Sequence, residues 1–278
     1  MNWRKFFSTI WIDILTFIVI AIVFLVPFAF IFVTAAKTPA EASQFQFTWP
    51  AQFRLFENIA EVMAFGNYRM FLALWNSFVL TVGSVTLIVL LGALVAYVLQ
   101  RRNDRTAAVV SSFMLAGLVL PPSVVPTIFL LQRLGLYKTL PGLILVEVAL
   151  GLAFAILILR AFIGTIPKEL DEAAIVDGAS PLQVFFRIVL PLLRPAVVTI
   201  VVTSSVGIYN DFVLPLYFLP GAQNVTAQLT LYSFISQFTS QYNLLFANVI
   251  VITIPPLIMF LFFQRQIVAG MTSGAVKG

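Results

Sequence analysis

Six stretches of this chain, each about as long as a hydrocarbon core is thick in helical residues and almost free of charge, leave it only one kind of solvent. They cover residues 14–36, 77–99, 107–131, 141–162, 196–218 and 244–263. A helix in lipid satisfies every backbone N–H and C=O internally, and an isolated strand does not. The reading that follows is an all-α, polytopic membrane protein with six transmembrane helices in one domain spanning 1–278. Composition agrees, because 61% of residues are hydrophobic and only 10% charged, outside the range of soluble globular domains. The first stretch exceeds the apolar run of about 7–15 residues in a secretory signal peptide, so it is expected to remain as a span.

The chain has no Cys and no His, which removes disulfides, thiolate metal sites and imidazole acid–base chemistry together. No catalytic residue, metal site or enzymatic activity is expected. The net charge of +5 is explained by topology. With the N-terminus inside, eleven Lys and Arg fall in cytoplasmic segments, among them Arg101, Arg102, Arg105, Arg160, Lys168 and Arg187, and five fall outside. Lys and Arg concentrate on the cytoplasmic side of short loops, so both termini and the connection between the fourth and fifth spans are placed there. No nucleic-acid partner is needed to account for the charge.

That connection, 164–195, carries a charged island between two apolar runs. Pro167 suits a first helical turn, and residues 168–176 are mostly good helix formers. Asp177-Gly178 then closes the helix, since Gly accepts the left-handed conformation at a helix C-terminus. Ser180-Pro181 supplies an N-cap and a first-position Pro for a second helix. In it, Val184, Phe185 and Ile188 recur at helical spacing. The expected unit is helix, tight turn, helix, held outside the bilayer.

Two carboxylates lie inside spans, where charge is costly and marks function or partnership. Asp211 follows Tyr209-Asn210, and Ser204, Gly207 and Ile208 precede it at i, i+3, i+4 and i+7 spacing, which puts all four on one helix face. Two readings of that face are open: an aqueous pathway in which Asn210 and Asp211 bond hydroxyls while Tyr209 stacks on a sugar ring, or close helix packing with Asp211 bonding nearby backbone. Glu147, two turns into the fourth span, is a further pathway candidate. No Lys or Arg lies deep in any span, which favours a neutral polar cargo. Pro27, Pro121-Pro122, Pro126, Pro215 and Pro255-Pro256 interrupt spans and free carbonyls that neighbours or cavity water must satisfy. Outside the membrane, 37–76 is the longest soluble stretch. Its residues 67–75 read as a short helix lying on the surface, with Trp49, Phe53, Phe56, Tyr68, Phe71 and Trp75 as interface aromatics.

The island resembles the EAA loop of ABC-importer permeases: Glu172-Ala173-Ala174, Gly178 four residues on, nine intervening residues, then Ile188-x-Leu190-Pro191. With Asn210-Asp211-Phe212, Leu214-Pro215-Leu216 and the ending Gly274-Ala275-Val276-Lys277-Gly278, the chain is similar to the sugar-type permease subunits, the group that includes the second maltose permease subunit. Tyr209 stands where Trp is usual. The resemblance implies a type I importer fold in a bacterial inner membrane. It also implies a complex with a second permease subunit of a different chain, two ABC ATPase subunits and an extracytoplasmic solute-binding protein. ATP and Mg would be bound by the ATPase, consistent with the absence here of a Gly-x-x-x-x-Gly-Lys-Ser/Thr loop. Glu172, Ala173, Ala174, Asp177, Gly178, Ser180 and Pro181 would form the ATPase-coupling contact. The tail 264–278 would run between the ATPases, and 219–243 would face the binding protein. The implied cargo is a mono- or oligosaccharide. A polyol or glycerol-phosphate-like solute is the alternative within the class, and an ion-coupled secondary transporter is the alternative outside it.

Overall fold

In the computed structural model the backbone is described at residues 3–102, 104–234 and 241–275, and side chains at 14–102, 104–221, 223–234 and 241–264. Arg4, Lys5 and Arg265 have no described side chain, and Val276, Lys277 and Gly278 lie outside the described residues, as do 235–240 of the loop expected to face a binding protein. The elements are α1 (Trp3–Ala35), α2 (Pro39–Ala42), α3 (Leu55–Arg101), α4 (Arg105–Val119), α5 (Val124–Arg133), α6 (Leu140–Ile163), α7 (Glu169–Val176) and α8 (Pro181–Val184). A π-turn at Phe185–Val189 leads to α9 (Leu190–Leu192), then α10 (Arg194–Asn210), α11 (Val213–Phe218) and α12 (Tyr242–Ala275). No strand occurs among the described residues. Among the described residues, four helices are long and apolar enough to cross a membrane, and two bent pairs make six if each pair is one span.

The apolar stretches are helical, and the structure departs from the expected reading at three places. Residues 107–131 are two helices, α4 and α5, meeting at 117° around Pro121-Pro122, whose missing N–H groups end the ladder. Residues 196–218 are likewise divided, because α10 stops at Asn210 and α11 starts at Val213. Residues 67–75 form no separate surface helix. Phe65 to Tyr68 leave helical geometry, with left-handed φ of 60°, 60° and 62° at Gly66, Asn67 and Tyr68, and from 69 onward the chain is already the helix that becomes the second span.

The chain divides into two compact units, residues 1–71 with 230–254, and 72–229 with 255–278. In the first, Thr38 and Glu41 close a capping box on α2. Lys37, one of the five Lys and Arg expected outside, is 2% exposed and donates from Nζ to the Gln46 carbonyl at 2.6 Å and Thr48 Oγ1 at 3.2 Å. Asn58 is the knot. It is 1% exposed, donates from Nδ2 to the carbonyls of Ala35 (2.7 Å) and Lys37 (2.9 Å), and accepts on Oδ1 from Asn243 Nδ2 (3.0 Å). Removing it strands buried partners, each costing about 1–3 kcal/mol. Asn58→Ala is therefore expected to lower the melting temperature of the detergent-solubilised protein by several degrees, and an unchanged melt would refute the knot.

The second unit is organised on α6, against which α4, α10 and α11 pack. Helices in lipid gain little from apolar burial and associate through close packing, which small residues permit. The face of α3 toward α6 is built that way: a Cβ on Gly92 would sit 3.4 Å from Ala155 Cβ, one on Gly83 3.0 Å from Ile144 Cδ1, and one on Gly151 of α6 2.7 Å from Ile88 Cδ1. These pairs ascend together in both helices, so α3 and α6 run side by side in the same direction.

Candidate functional site

The island folds as its local chemistry requires. After Val176 the chain turns through Gly178 at φ +83°, and two bonds close the turn: Gly178 N–H donates to Ile175 O at 3.0 Å and Ala179 N–H to Ala174 O at 2.9 Å. This is the paired bonding of a Schellman ending, which needs a left-handed residue at that place. Ser180 then caps α8 in a reciprocal box with Gln183, whose Oε1 accepts from Ser180 N–H at 2.8 Å. Pro181 takes the first helical position, as expected. Pro167 falls two residues before α7 instead of within its first turn.

Of the residues singled out, Glu172, Ala173, Asp177, Gly178, Ser180 and Pro181 are exposed together at the hairpin's tip and outer side. Ala174 is not; it turns into the core at 8% exposed. Close approach from outside therefore depends on Ala173 and Gly178, and a Cβ on Gly178 would meet nothing within 4 Å. Three apolar side chains escaped the sequence reading: Ile175, Val176 and Leu182 are 58%, 86% and 64% exposed. Next to charged residues of the hairpin, they form the kind of apolar surface that marks a contact with another protein or with the membrane.

The second feature is a cavity of about 370 Å³ lined by Ile88, Glu147, Leu150, Gly151, Ser204, Gly207, Ile208 and Asp211. The predicted face of α10 thus lines a cavity, and Glu147 of α6 meets it there. Glu147 is 7% exposed, and its Oε1 has no hydrogen-bond partner in the chain. A buried acceptor left open costs free energy unless something fills it, and the cavity is where a hydroxyl or water can do so.

Asp211 serves both readings. Its Oδ1 accepts from Val213 N–H at 2.8 Å and, at the long limit, Leu214 N–H at 3.4 Å, capping the start of α11, while its side chain also borders the cavity. Tyr209 and Asn210 are not among the lining residues. Tyr209 is 8% exposed in the interior, and Asn210 faces outward with Oδ1 accepting from Gln228 Nε2 at 3.0 Å. Successive helical residues are turned about 100° apart, so Tyr209 and Asn210 were already off the Ser204–Ile208 face.

Helices long and apolar enough to span a membrane, one of them broken beside a cavity with carboxylates in its lining, and a structured hairpin between two of them define an integral membrane subunit. Residues 88–273 match the family described as the binding-protein-dependent transport system inner membrane component, and the chain belongs to that family. It is 31% identical over 261 residues to the diacetylchitobiose uptake system permease protein NgcG of Streptomyces coelicolor, covering 92% of this chain and 85% of that one. It is 31% identical over 264 residues to the melibiose/raffinose/stachyose import permease protein MelC of Bacillus subtilis, covering 94% of each. The fold is that of a chain in the crystal structure of a bacterial ABC transporter involved in the import of the acidic polysaccharide alginate, with a TM-score of 0.82 at 19% identity over 95% of this chain and 98% of that one.

Proposed function

We propose that this chain is the permease subunit of an ATP-driven, binding-protein-dependent importer of a neutral carbohydrate, driven through the hairpin at residues 169–192. The observation that carries the reading is the hairpin itself: an ordered element, closed at Gly178 and capped at Ser180, whose tip has room for a partner at Gly178 and whose apolar residues Ile175, Val176 and Leu182 lie uncovered. A partner ATPase would bind ATP and Mg and grip that tip, and closure of two ATPases would move the hairpins and with them the spans. A second permease subunit would complete the pathway. A solute-binding protein would deliver cargo to the opposite side, near 219–234. On the Lys and Arg distribution, the hairpin and both termini are cytoplasmic.

The cavity supports the cargo class. Its polar side chains are Glu147, Ser204 and Asp211, with no Lys or Arg among the lining residues. Carboxylates accept hydrogen bonds and Ser does both, which suits the hydroxyls of a sugar ring. The relatives named above are named for oligosaccharides. A polyol offers the same hydroxyls, whereas a glycerol-phosphate-like solute would bring an anion against two carboxyls. A secondary transporter would leave the hairpin without a task.

The absence of native Cys makes the central contact directly testable. Ala173→Cys gives a single thiol on the exposed side of the hairpin; loaded with a thiol-anchored photo-cross-linker in the co-expressed importer, it is expected to capture the ATPase subunit. Labelling at Cys without an ATPase adduct would overturn the docking assignment.

A further inference from the structure

The hairpin is held to the spans by more than its peptide links. Asp171, directly before the exposed Glu172, is 7% exposed. It accepts on Oδ2 from Tyr97 Oη at 3.0 Å and from Arg101 Nε at 2.7 Å, and on Oδ1 from Arg101 Nη2 at 3.3 Å. The guanidinium thus grips both carboxylate oxygens, the fixed-fork geometry that gives Arg pairs their directional strength. Its Nη1 donates in addition to the Ile166 carbonyl at 3.2 Å. The Tyr97 ring lies 5.7 Å from that of Phe185, which is 1% exposed in the hairpin's second arm.

Two side chains one turn apart on α3 therefore hold the lead-in, the first arm and the second arm at once. Among the described ion pairs this is the buried one, with side chains 14% and 10% exposed, against 39% and 64% for Arg54–Glu57 and 61% and 40% for Arg102–Asp104. A buried, bidentate pair resists solvent and salt where exposed pairs do not.

Further back along the same helix, α3 reaches the cavity. Ile88 lines it, and at 1.5 Å per residue it stands roughly 20 Å along the axis from Arg101. No break interrupts α3 between them, and close contacts at Gly83, Gly92 and Gly151 join α3 to α6, which carries Glu147. Besides the clamp, the hairpin is held by 164–168, by the 74° bend before α10 and by the packing of Ala174, Val184, Phe185 and Val189 into the core; the clamp is its polar, directional attachment to α3.

We propose that Arg101, together with Tyr97, is a positioning residue that locks the hairpin to α3, so that a displacement of the hairpin moves α3 and α6 and reshapes the cavity. The inference rests on the reading of the hairpin as the ATPase-docking element. Arg101 touches neither the docking tip nor the cavity, and its loss is therefore read as transport lost per ATP spent.

The test uses the intact importer, purified through a tag on this chain and reconstituted in proteoliposomes, with uptake and ATP hydrolysis measured together. Arg101→Gln is expected to assemble in normal yield and hydrolyse ATP, while uptake per ATP falls about ten-fold. Arg101→Lys, which keeps the charge and loses the fork, is expected to lie between. The exchange Arg101→Asp with Asp171→Arg is expected to recover part of the ratio. A merely structural role predicts lower yield with uptake and hydrolysis falling in proportion, and a ratio at the wild-type value in the assembled Arg101→Gln importer overturns the proposal. Should Arg101→Gln not assemble, Tyr97→Phe removes one hydroxyl only; a lowered ratio supports the clamp and an unchanged one overturns it. Gly178→Asp run in parallel separates the two levels: if it too leaves uptake intact, the docking reading has failed; if it abolishes uptake while Arg101→Gln does not, only the clamp has.

Discussion

Gly178→Asp is expected to abolish uptake while leaving the chain inserted and folded. The argument starts from where the substitution would be felt. A side chain at 178 meets nothing inside the chain within 4 Å, so steric harm does not come from within. The left-handed φ of +83° costs an ordinary L-residue about 1–2 kcal/mol, and Asp is among the residues that tolerate it best. The hairpin should therefore survive, with its Schellman bonds and its Ser180–Gln183 box intact. What changes is the outer surface: a carboxylate now stands where, on the proposed docking, the ATPase would approach backbone closely, and an uncompensated charge buried in a protein interface costs about 2–5 kcal/mol. At about 1.4 kcal/mol per tenfold, occupancy of the ATPase contact should fall by roughly 30-fold or more. Gly178→Asn supplies the control, since it adopts the same backbone without charge and should retain more transport. Uptake at the wild-type rate, with the ATPase still co-purifying with Gly178→Asp, would remove the hairpin from the coupling path.

How much of this could be read from the chain follows from how local each determinant is. The hairpin was legible because its turn is written in adjacent residues: Gly178 for a left-handed position, Ser180-Pro181 for a helix start. The cavity face was legible through the 3.6 period that aligns Ser204, Gly207, Ile208 and Asp211, and the same period should have set Tyr209 and Asn210 aside. Prolines marked where spans 107–131 and 196–218 are interrupted or bent, but a missing N–H weakens a helix without choosing an angle, and the 117° bend depends on packing around it. The break at Phe65–Tyr68 hid behind a helical composition on both sides. Least visible was the Arg101–Asp171 pair, 70 residues apart in sequence. Arg101 reads as one more cytoplasmic charge, and Asp171 as one of three acids at the start of α7; only the fold brings them together.

The carboxyls in the cavity allow a sharper experiment than simple truncation, because Asp211 does two things. Its Oδ1 caps α11 through Val213 N–H at 2.8 Å, and Asn caps about as well as Asp. Asp211→Asn therefore keeps the local fold and removes only the charge, whereas Asp211→Ala also forfeits the cap at a cost of about 1 kcal/mol. If Asp211 borders the route of the cargo, both variants should lower uptake, by about ten-fold where a hydrogen bond to a charged acceptor of about 1.5–3 kcal/mol is lost. If it serves packing alone, Asp211→Asn should transport normally and only Asp211→Ala should lose thermal stability. Glu147→Gln isolates the second carboxyl. Glu147 is 7% exposed, with Oε1 unpartnered and facing the same cavity, so Gln keeps its shape and one acceptor oxygen while changing what it offers a hydroxyl. Glu147 and Asp211 also interact with each other across the cavity, so the two losses should be less than additive through that contact alone, and the single variants carry the test. Normal uptake in Glu147→Gln and Asp211→Asn alike would return the cavity to packing and place cargo recognition on the other permease subunit and the binding protein.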